Sequence, residues 1–172
     1  ISHLKASIEI ATQIGNKRSE GVGLGNLGSV YQNLGQYEEA ISHFKASIEI
    51  ATQIGHKRSE GIDLGNLGNV YQHLGQFEKA IEHYKASIEI ATQIGNKRSE
   101  GNNLGNLGNT YQDLGQYEKA IAHYKDSIEI ATQIGDKKGK GINLGNLGDI
   151  LLKLERWEES EQQLIDAIAI CT

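Results

Sequence analysis

The chain has 172 residues, a formal net charge of −5, and 38% hydrophobic against 23% charged residues. This balance suits a folded soluble domain, argues against a nucleic-acid footprint, and leaves no apolar run of about 18 residues to enter a membrane. Aromatic residues are only 6%, with no proline or methionine, which favours many small, similar helix contacts over one bulky core.

From its first residues the chain repeats itself. ASIEIATQIG at 6–15 returns at 46–55 and 86–95, with DSIEIATQIG at 126–135. LGNLG at 24–28 returns at 64–68, 104–108 and 144–148, so the period is 40 residues without an insertion. A period of this size with helical patterning predicts an all-α, right-handed α-solenoid of tandem helix-turn-helix units. One array over 1–172 is expected: a leading helix B in 1–16, full repeats at 17–56, 57–96 and 97–136, and a divergent repeat at 137–172. That makes about nine helices. Because the chain opens inside a repeat, it is expected to be a fragment with further repeats upstream.

Within the first full repeat, helix A carries Leu24, Leu27, Gly28, Tyr31 and Leu34 on one helical stripe. In helix B, Tyr37, Ala40, Ile41, Phe44 and Ile48 do the same, and Ile50, Ala51 and Ile54 widen the apolar face. Gly15, Gly35, Gly55, Gly95 and Gly135 supply left-handed stops. Asn16, Asn96 and Asp136 are strong N-caps for the following helix A, and His56 a weaker one. Gly28 is expected to let helix B pack closely. Gly25, Gly65, Gly105 and Gly145 suit either inter-repeat packing or a ligand backbone.

The last repeat departs from the others. Leu151 stands where the tyrosine would be, Glu155 for the glycine, Ser160 for the alanine and Leu164 for the aromatic. Its final helix, with Glu158, Glu159, Glu161, Gln162, Gln163 and Asp166, reads as a polar cap ending the array.

These stripes resemble the tetratricopeptide repeat. Its pattern is met by Leu24, Leu27, Gly28, Tyr31, Ala40 and Phe44, by Leu64, Leu67, Gly68, Tyr71, Ala80 and Tyr84, and by Leu104, Leu107, Gly108, Tyr111, Ala120 and Tyr124. The period exceeds the family's usual length of roughly 34 residues, and the terminal proline is missing. Both departures fit longer helices, and the 40-residue period with the LGNLGN phrase looks most like the Leu-Gly-Asn branch and, more loosely, kinesin light chain. The resemblance implies a non-catalytic scaffold or adaptor that binds an extended or helical segment of a protein partner on a concave face made by the A helices. Asn26, Asn66, Asn106 and Asn146 would form a ladder there, offering both donor and acceptor to a peptide backbone. Asn69, Asn109, Gln72, Gln112, His73 and Asp113 join them as candidate contacts. A bond to a neighbouring helix is the competing role for the asparagines. Selectivity would reside where copies differ: Val22/Ile62/Asn102/Ile142, Ser29/Asn69/Asn109/Asp149 and Asn33/His73/Asp113/Lys153. The face lacks the basic residues of arrays that clamp acidic C-termini, so a chaperone tail of that kind is not the expected ligand.

Other signals carry less. Gly23-Leu24-Gly25-Asn26-Leu27-Gly28 spells a dinucleotide fingerprint but lies inside a helix, without the strand and turn that motif needs. His3, His43, His83 and His123 recur at 40 residues, too far apart for one metal, and read as solvated side chains. Lys17-Arg18, Lys57-Arg58, Lys97-Arg98 and Lys137-Lys138 read as a solvated basic edge in the inter-repeat loops, balanced by Glu20, Glu60 and Glu100. Cys171 cannot form an internal disulfide, reads as a buried or truncated contact, and suits a reducing, cytoplasmic setting. No catalytic residues, cofactor or metal are expected, and the partner class is protein rather than nucleic acid or membrane. An architectural spacer, self-associating through Ile1, Leu4 and an exposed B-helix face, and a regulatory arm of a larger enzyme or transcription factor are the alternatives.

Overall fold

In a computed structural model, which describes residues 1–171 with side chains through 170, all described regular structure is helical. There are nine helices among these residues: α1 Ser2–Gln13, α2 Lys17–Asn33, α3 Tyr37–Gln53, α4 Lys57–His73, α5 Phe77–Gln93, α6 Lys97–Asp113, α7 Tyr117–Gln133, α8 Lys137–Lys153 and α9 Trp157–Cys171. They group into two compact units, Ile1–Ile94 and Gly95–Thr172. In the first, α2 pairs with α3 and α4 with α5, while α1 packs on α2 and α3 on α4. In the second, α6 pairs with α7 and α8 with α9, and α7 packs on α8. The A helices α2 and α4 also touch one another, as do α6 and α8.

The helix ends follow the sequence closely. Asn16 Oδ1 accepts from Ser19 N at 3.1 Å, Asn96 from Ser99 N at 3.3 Å and Asp136 from Gly139 N at 3.0 Å. His56 makes no such cap; its Nδ1 shares a 2.8 Å hydrogen bond with Ser59 Oγ instead. Seven glycines end helices with φ between 67° and 72°. Around Gly75, for example, Gly75 N donates to Gln72 O and Gln76 N to Tyr71 O, both at 2.9 Å, which closes the helix in a Schellman motif.

Glu155 takes the eighth such position with φ 57°, the one described non-glycine residue at positive φ. An L side chain there opposes its own carbonyl, at a cost of about 1–2 kcal/mol. Glu155→Gly is therefore expected to stabilise the chain by about 1 kcal/mol, raising the thermal midpoint by about 2–4 °C in a circular-dichroism melt.

The core is thin and repetitive. Leu27, Tyr31, Ala40 and Phe44 are buried, as are Leu67, Tyr71, Ala80 and Tyr84, and Leu107, Tyr111, Ala120 and Tyr124. Gly28 has the expected role: a Cβ there would stand 2.8 Å from Phe44 Cδ1. Two stripe members behave otherwise. Leu34 and Ile54 occupy C-cap positions, past the last core-facing turn, and are exposed.

The recurring lysine–arginine pairs lie in the first turn of each A helix rather than in the loops. There Lys17, Lys57 and Lys97 pair with Glu20, Glu60 and Glu100 at 2.8–2.9 Å, offsetting positive charge at a helix N-terminus. On α9 the polar residues do not cover the helix: Trp157, Ile165 and Ile168 are exposed beside them. The side chain of Cys171 lies outside the described residues.

Candidate peptide-binding face

In the first unit, the side-by-side A helices α2 and α4 enclose an open cavity of about 180 Å³. Its lining is Val22, Gly25, Asn26 and Ser29 from α2, and Ser59, Ile62, Asp63 and Asn66 from α4. The helical spacing that turns Leu24, Leu27 and Tyr31 toward helix B leaves these positions on the other side. The first two rungs of the asparagine ladder thus share one pocket. Asn26 is exposed and Asn66 half-buried, and neither makes a hydrogen bond within the described chain. Val22 and Ile62, two positions where the copies differ, are exposed beside them.

The other candidate residues are engaged internally. Tyr84 Oη donates to Asn69 Oδ1 at 2.6 Å and lies 2.9 Å from Gln72 Oε1. Tyr124 Oη donates to Asn109 Oδ1 at 2.6 Å and lies 2.8 Å from Gln112 Oε1. A phenol has one proton, so the glutamine contact is satisfied when its amide turns to donate from Nε2. Asn146 Nδ2 donates to Asn109 Oδ1 at 3.0 Å, so in the second unit the ladder is also an α6–α8 link. Burial, reinforced by nearby Asp113, pushes the Tyr124 hydroxyl well above the usual phenol range, which keeps it a donor. His73 Nδ1 bonds to its own helix at Asn69 O (2.7 Å) and its ring lies 5.8 Å from that of Tyr37. Asp113 is exposed at the C-terminal end of α6.

Comparing copies could have revealed the tyrosine clusters. Where helix B has Phe44, helix A has Ser29; where it has Tyr84 and Tyr124, helix A has Asn69 and Asn109. Each asparagine appears with a hydroxyl to receive.

A second buried network was not foreseen. Ser47, Ser87 and Ser127 on the B helices are buried and donate to Gly21 O, Gly61 O and Gly101 O at 2.6–2.8 Å. Asn143 Nδ2 in turn donates to Ser127 Oγ at 2.8 Å. Asp63 holds the matching position on α4, 6% exposed, with Oδ2 2.6 Å from Ser47 Oγ. Ser47 Oγ has one proton and two acceptors within reach, Asp63 Oδ2 at 2.6 Å and Gly21 O at 2.8 Å. An ionised Asp63 competes with Gly21 O for that proton, whereas a protonated Asp63 can donate to Ser47 Oγ and leave the Ser47 proton to Gly21 O, so the protonated form satisfies both acceptors. Burial pushes its carboxyl up to about 6, against a smaller opposing pull from the Ser47 hydrogen bond.

This network also explains two glycines of the A helices. A Cβ on Gly25 would stand 2.8 Å from Asp63 Oδ1, and one on Gly105 would stand 2.8 Å from Asn143 Oδ1. Gly25 and Gly105 thus serve inter-repeat packing, while Gly25 also lines the α2–α4 cavity and Gly145 has nothing within 4 Å of an added Cβ.

The recurring histidines His43, His83 and His123 are half-buried rather than solvated. Each stacks on Tyr31, Tyr71 or Tyr111 with ring centroids 5.2–5.3 Å apart. Their flat rings complete the helix A–helix B packing, and burial lowers the His43 and His83 pKa values. His3, on α1, is exposed. The glycine fingerprint at 23–28 lies within α2, as expected.

Helix pairs closed by left-handed glycines, with a small-residue seam under an aromatic and a polar A-helix face, define a helical-repeat protein. The chain belongs to the tetratricopeptide repeat family, whose sequence profile matches residues 1–53, 20–93, 58–133 and 99–172. No curated protein matches it in sequence. Among solved structures it is similar to BtubC (BKLC) from P. vanneervenii, with TM-score 0.85 and 17% identity over 98% of this chain and 71% of that one. The TPR-like repeats of a presumed kinesin light chain from Podosopora anserina give TM-score 0.76 and 19% identity over 97% and 83%. A signal-transduction ATPase with a tetratricopeptide repeat sensor, PH0952 from Pyrococcus horikoshii, gives TM-score 0.83 and 28% identity over 96% of this chain and 26% of that one. No helix among the described residues is long and apolar enough to cross a membrane.

Proposed function

We propose that the A-helix faces of this chain bind an extended or helical segment of a protein partner, and that the chain serves as a non-catalytic scaffold. The observation that carries this reading is the α2–α4 pocket, where the side chains of Asn26 and Asn66 face a cavity and make no hydrogen bond among the described residues. An amide with a donor and an acceptor in that position suits a peptide backbone, and the exposed Val22 and Ile62 suit an apolar side chain. Asn106 and Asn146 are the matching positions in the second unit, where Asn146 is already bonded to Asn109. Asn69, Asn109, Gln72 and Gln112 support the reading by stiffening the face, since their bonds to Tyr84 and Tyr124 pre-organise it. His73 and Asp113 contribute selectivity at its edge.

Selection from a random peptide display library tests this, run in parallel on the parent and on an Asn26→Ala/Asn66→Ala variant of unchanged helicity. Peptides enriched on the parent are expected to bind the variant at least about tenfold more weakly, the loss of one or two net hydrogen bonds. Equal enrichment on both would remove the asparagines from the mechanism.

A self-associating role has its own support in Ile1, Ile10 and Ile14, all exposed on or beside α1. Light scattering that shows mass rising with concentration, abolished by Ile10→Lys, is the result that reading expects. The similarity to a sensor array within a signal-transduction ATPase is compatible with a regulatory arm of a larger protein.

A further inference from the structure

The pocket's wall holds a carboxyl in a place where the equivalent copy holds an amide. Asn143 satisfies its surroundings completely, giving protons to Ser127 Oγ and to Gly139 O at 2.8 and 3.0 Å. Asp63 in the same place, when ionised, competes with Gly21 O for the single proton of Ser47 Oγ. No lysine, arginine or histidine pairs with it among the described residues. No charged group perturbs it either; burial and Ser47 account for its behaviour. Asp63 is also the one titratable residue lining the pocket, where its neighbours Asn26, Ser29, Ser59 and Asn66 offer amide and hydroxyl oxygens. At about 180 Å³ the cavity far exceeds the ~10–15 Å³ that admits a water. Exposed Val22 and Ile62 can flank a chain of methylenes.

We infer that the α2–α4 pocket receives a cationic side chain of the partner, with Asp63 as its counter-ion and the amide and hydroxyl oxygens of Asn26, Asn66, Ser29 and Ser59 completing the shell. This rests on the partner-binding reading and narrows it to a segment with a lysine or arginine in register with α2 and α4. The cation supplies from outside the charge that the chain does not provide, and lets Asp63 ionise without a proton of its own. An apolar or acidic residue in that register would leave a buried carboxylate unpaired and be disfavoured.

The test follows the Asp63 carboxyl carbon by ¹³C NMR across pH, its resonance assigned by its absence in Asp63→Asn. Asn143 shows that the amide fits the slot, so this variant folds. Titrations are run with n-butylammonium, ethylguanidinium, n-butanol and sodium chloride at matched ionic strength. Either organic cation is expected to lower the Asp63 midpoint by about one unit, a tenfold preference for the ionised form, while butanol and sodium leave it in place. The cation with the larger effect identifies lysine or arginine as the residue read. A midpoint unmoved by both cations, or moved equally by sodium, overturns the inference. Display peptides without a basic residue, with no midpoint shift, sink the cation site and leave the partner-binding face standing. A midpoint shift with no enriched peptide does the reverse.

Discussion

Gly68→Ala is expected to destabilise the chain by about 2–3 kcal/mol, whereas Gly145→Ala, the same change on another A helix, should stabilise it by up to about 1 kcal/mol. By intrinsic propensity both should gain, since alanine exceeds glycine in a helix interior by about 1 kcal/mol. Space decides the sign. A Cβ at Gly68 would stand 2.7 Å from Tyr84 Cε1 and 2.8 Å from Cδ1, while one at Gly145 meets nothing within 4 Å. The tyrosine cannot easily retreat, because its ring is fully buried and its hydroxyl is tied to Asn69 and Gln72. Alanine at 68 therefore forces the α4–α5 pair apart and strains those bonds, each worth about 1 kcal/mol. Denaturant melts followed by circular dichroism would measure both variants. A Gly68→Ala chain as stable as the parent would mean that the A–B seam has slack this account denies.

Asp63→Asn should stabilise the chain at neutral pH by roughly 2–3 kcal/mol and should remove a pH dependence that the parent shows. In the folded chain the Asp63 carboxyl is raised from 3.8 to about 6. Below pH ~4 it is protonated in both states, and its stabilising contribution is fully present. Between the two values the unfolded chain releases its proton and the folded chain keeps it, so stability falls with rising pH. The loss is about 1.4 kcal/mol per unit and levels off above pH ~6. The asparagine, an uncharged donor in the same slot, has no such slope. Urea midpoints of the two chains from pH 4 to 8 should therefore converge at the acid end and separate toward pH 7. Parallel curves would show that Asp63 titrates alike in both states, and would withdraw the donor-slot argument.

Much of the fold was legible because each element carries several agreeing signals. The A helices share a stripe at fixed spacing, and three of the four also carry a side-chain cap (α2, α6, α8) and three a glycine stop (α2, α4, α6). The face was legible in outline for the same reason: once Leu24, Leu27 and Tyr31 are turned inward, Val22, Asn26 and Ser29 must lie elsewhere, and α4 adds Ile62 and Asn66 to the same cavity. What single-helix periodicity does not encode is which polar residue is covered by the next repeat. Asp63 and Ser47 lie on different helices, 16 residues apart, and only their 2.6 Å approach makes either remarkable to a chemist. Asn69 and Asn109 look like surface amides until the hydroxyls of Tyr84 and Tyr124 reach them from the B helices. His43 and His83 look solvated until the faces of Tyr31 and Tyr71 are brought against them. Leu34 and Ile54 fail in the opposite sense: apolar by type, they sit beyond the last turn of a helix and are exposed.

That the A-helix face is where a partner binds is tested most directly by two-dimensional ¹H–¹⁵N NMR of the labelled chain with an unlabelled display-selected peptide. Shift changes should concentrate on the side-chain amides of Asn26 and Asn66 and on the backbone of Val22, Ser29, Ile62 and Asp63, leaving exposed B-helix positions such as Glu49 and Glu89 unmoved. Changes confined to α3 and α5, with the two asparagine amides silent, would place recognition on the B helices and contradict the account.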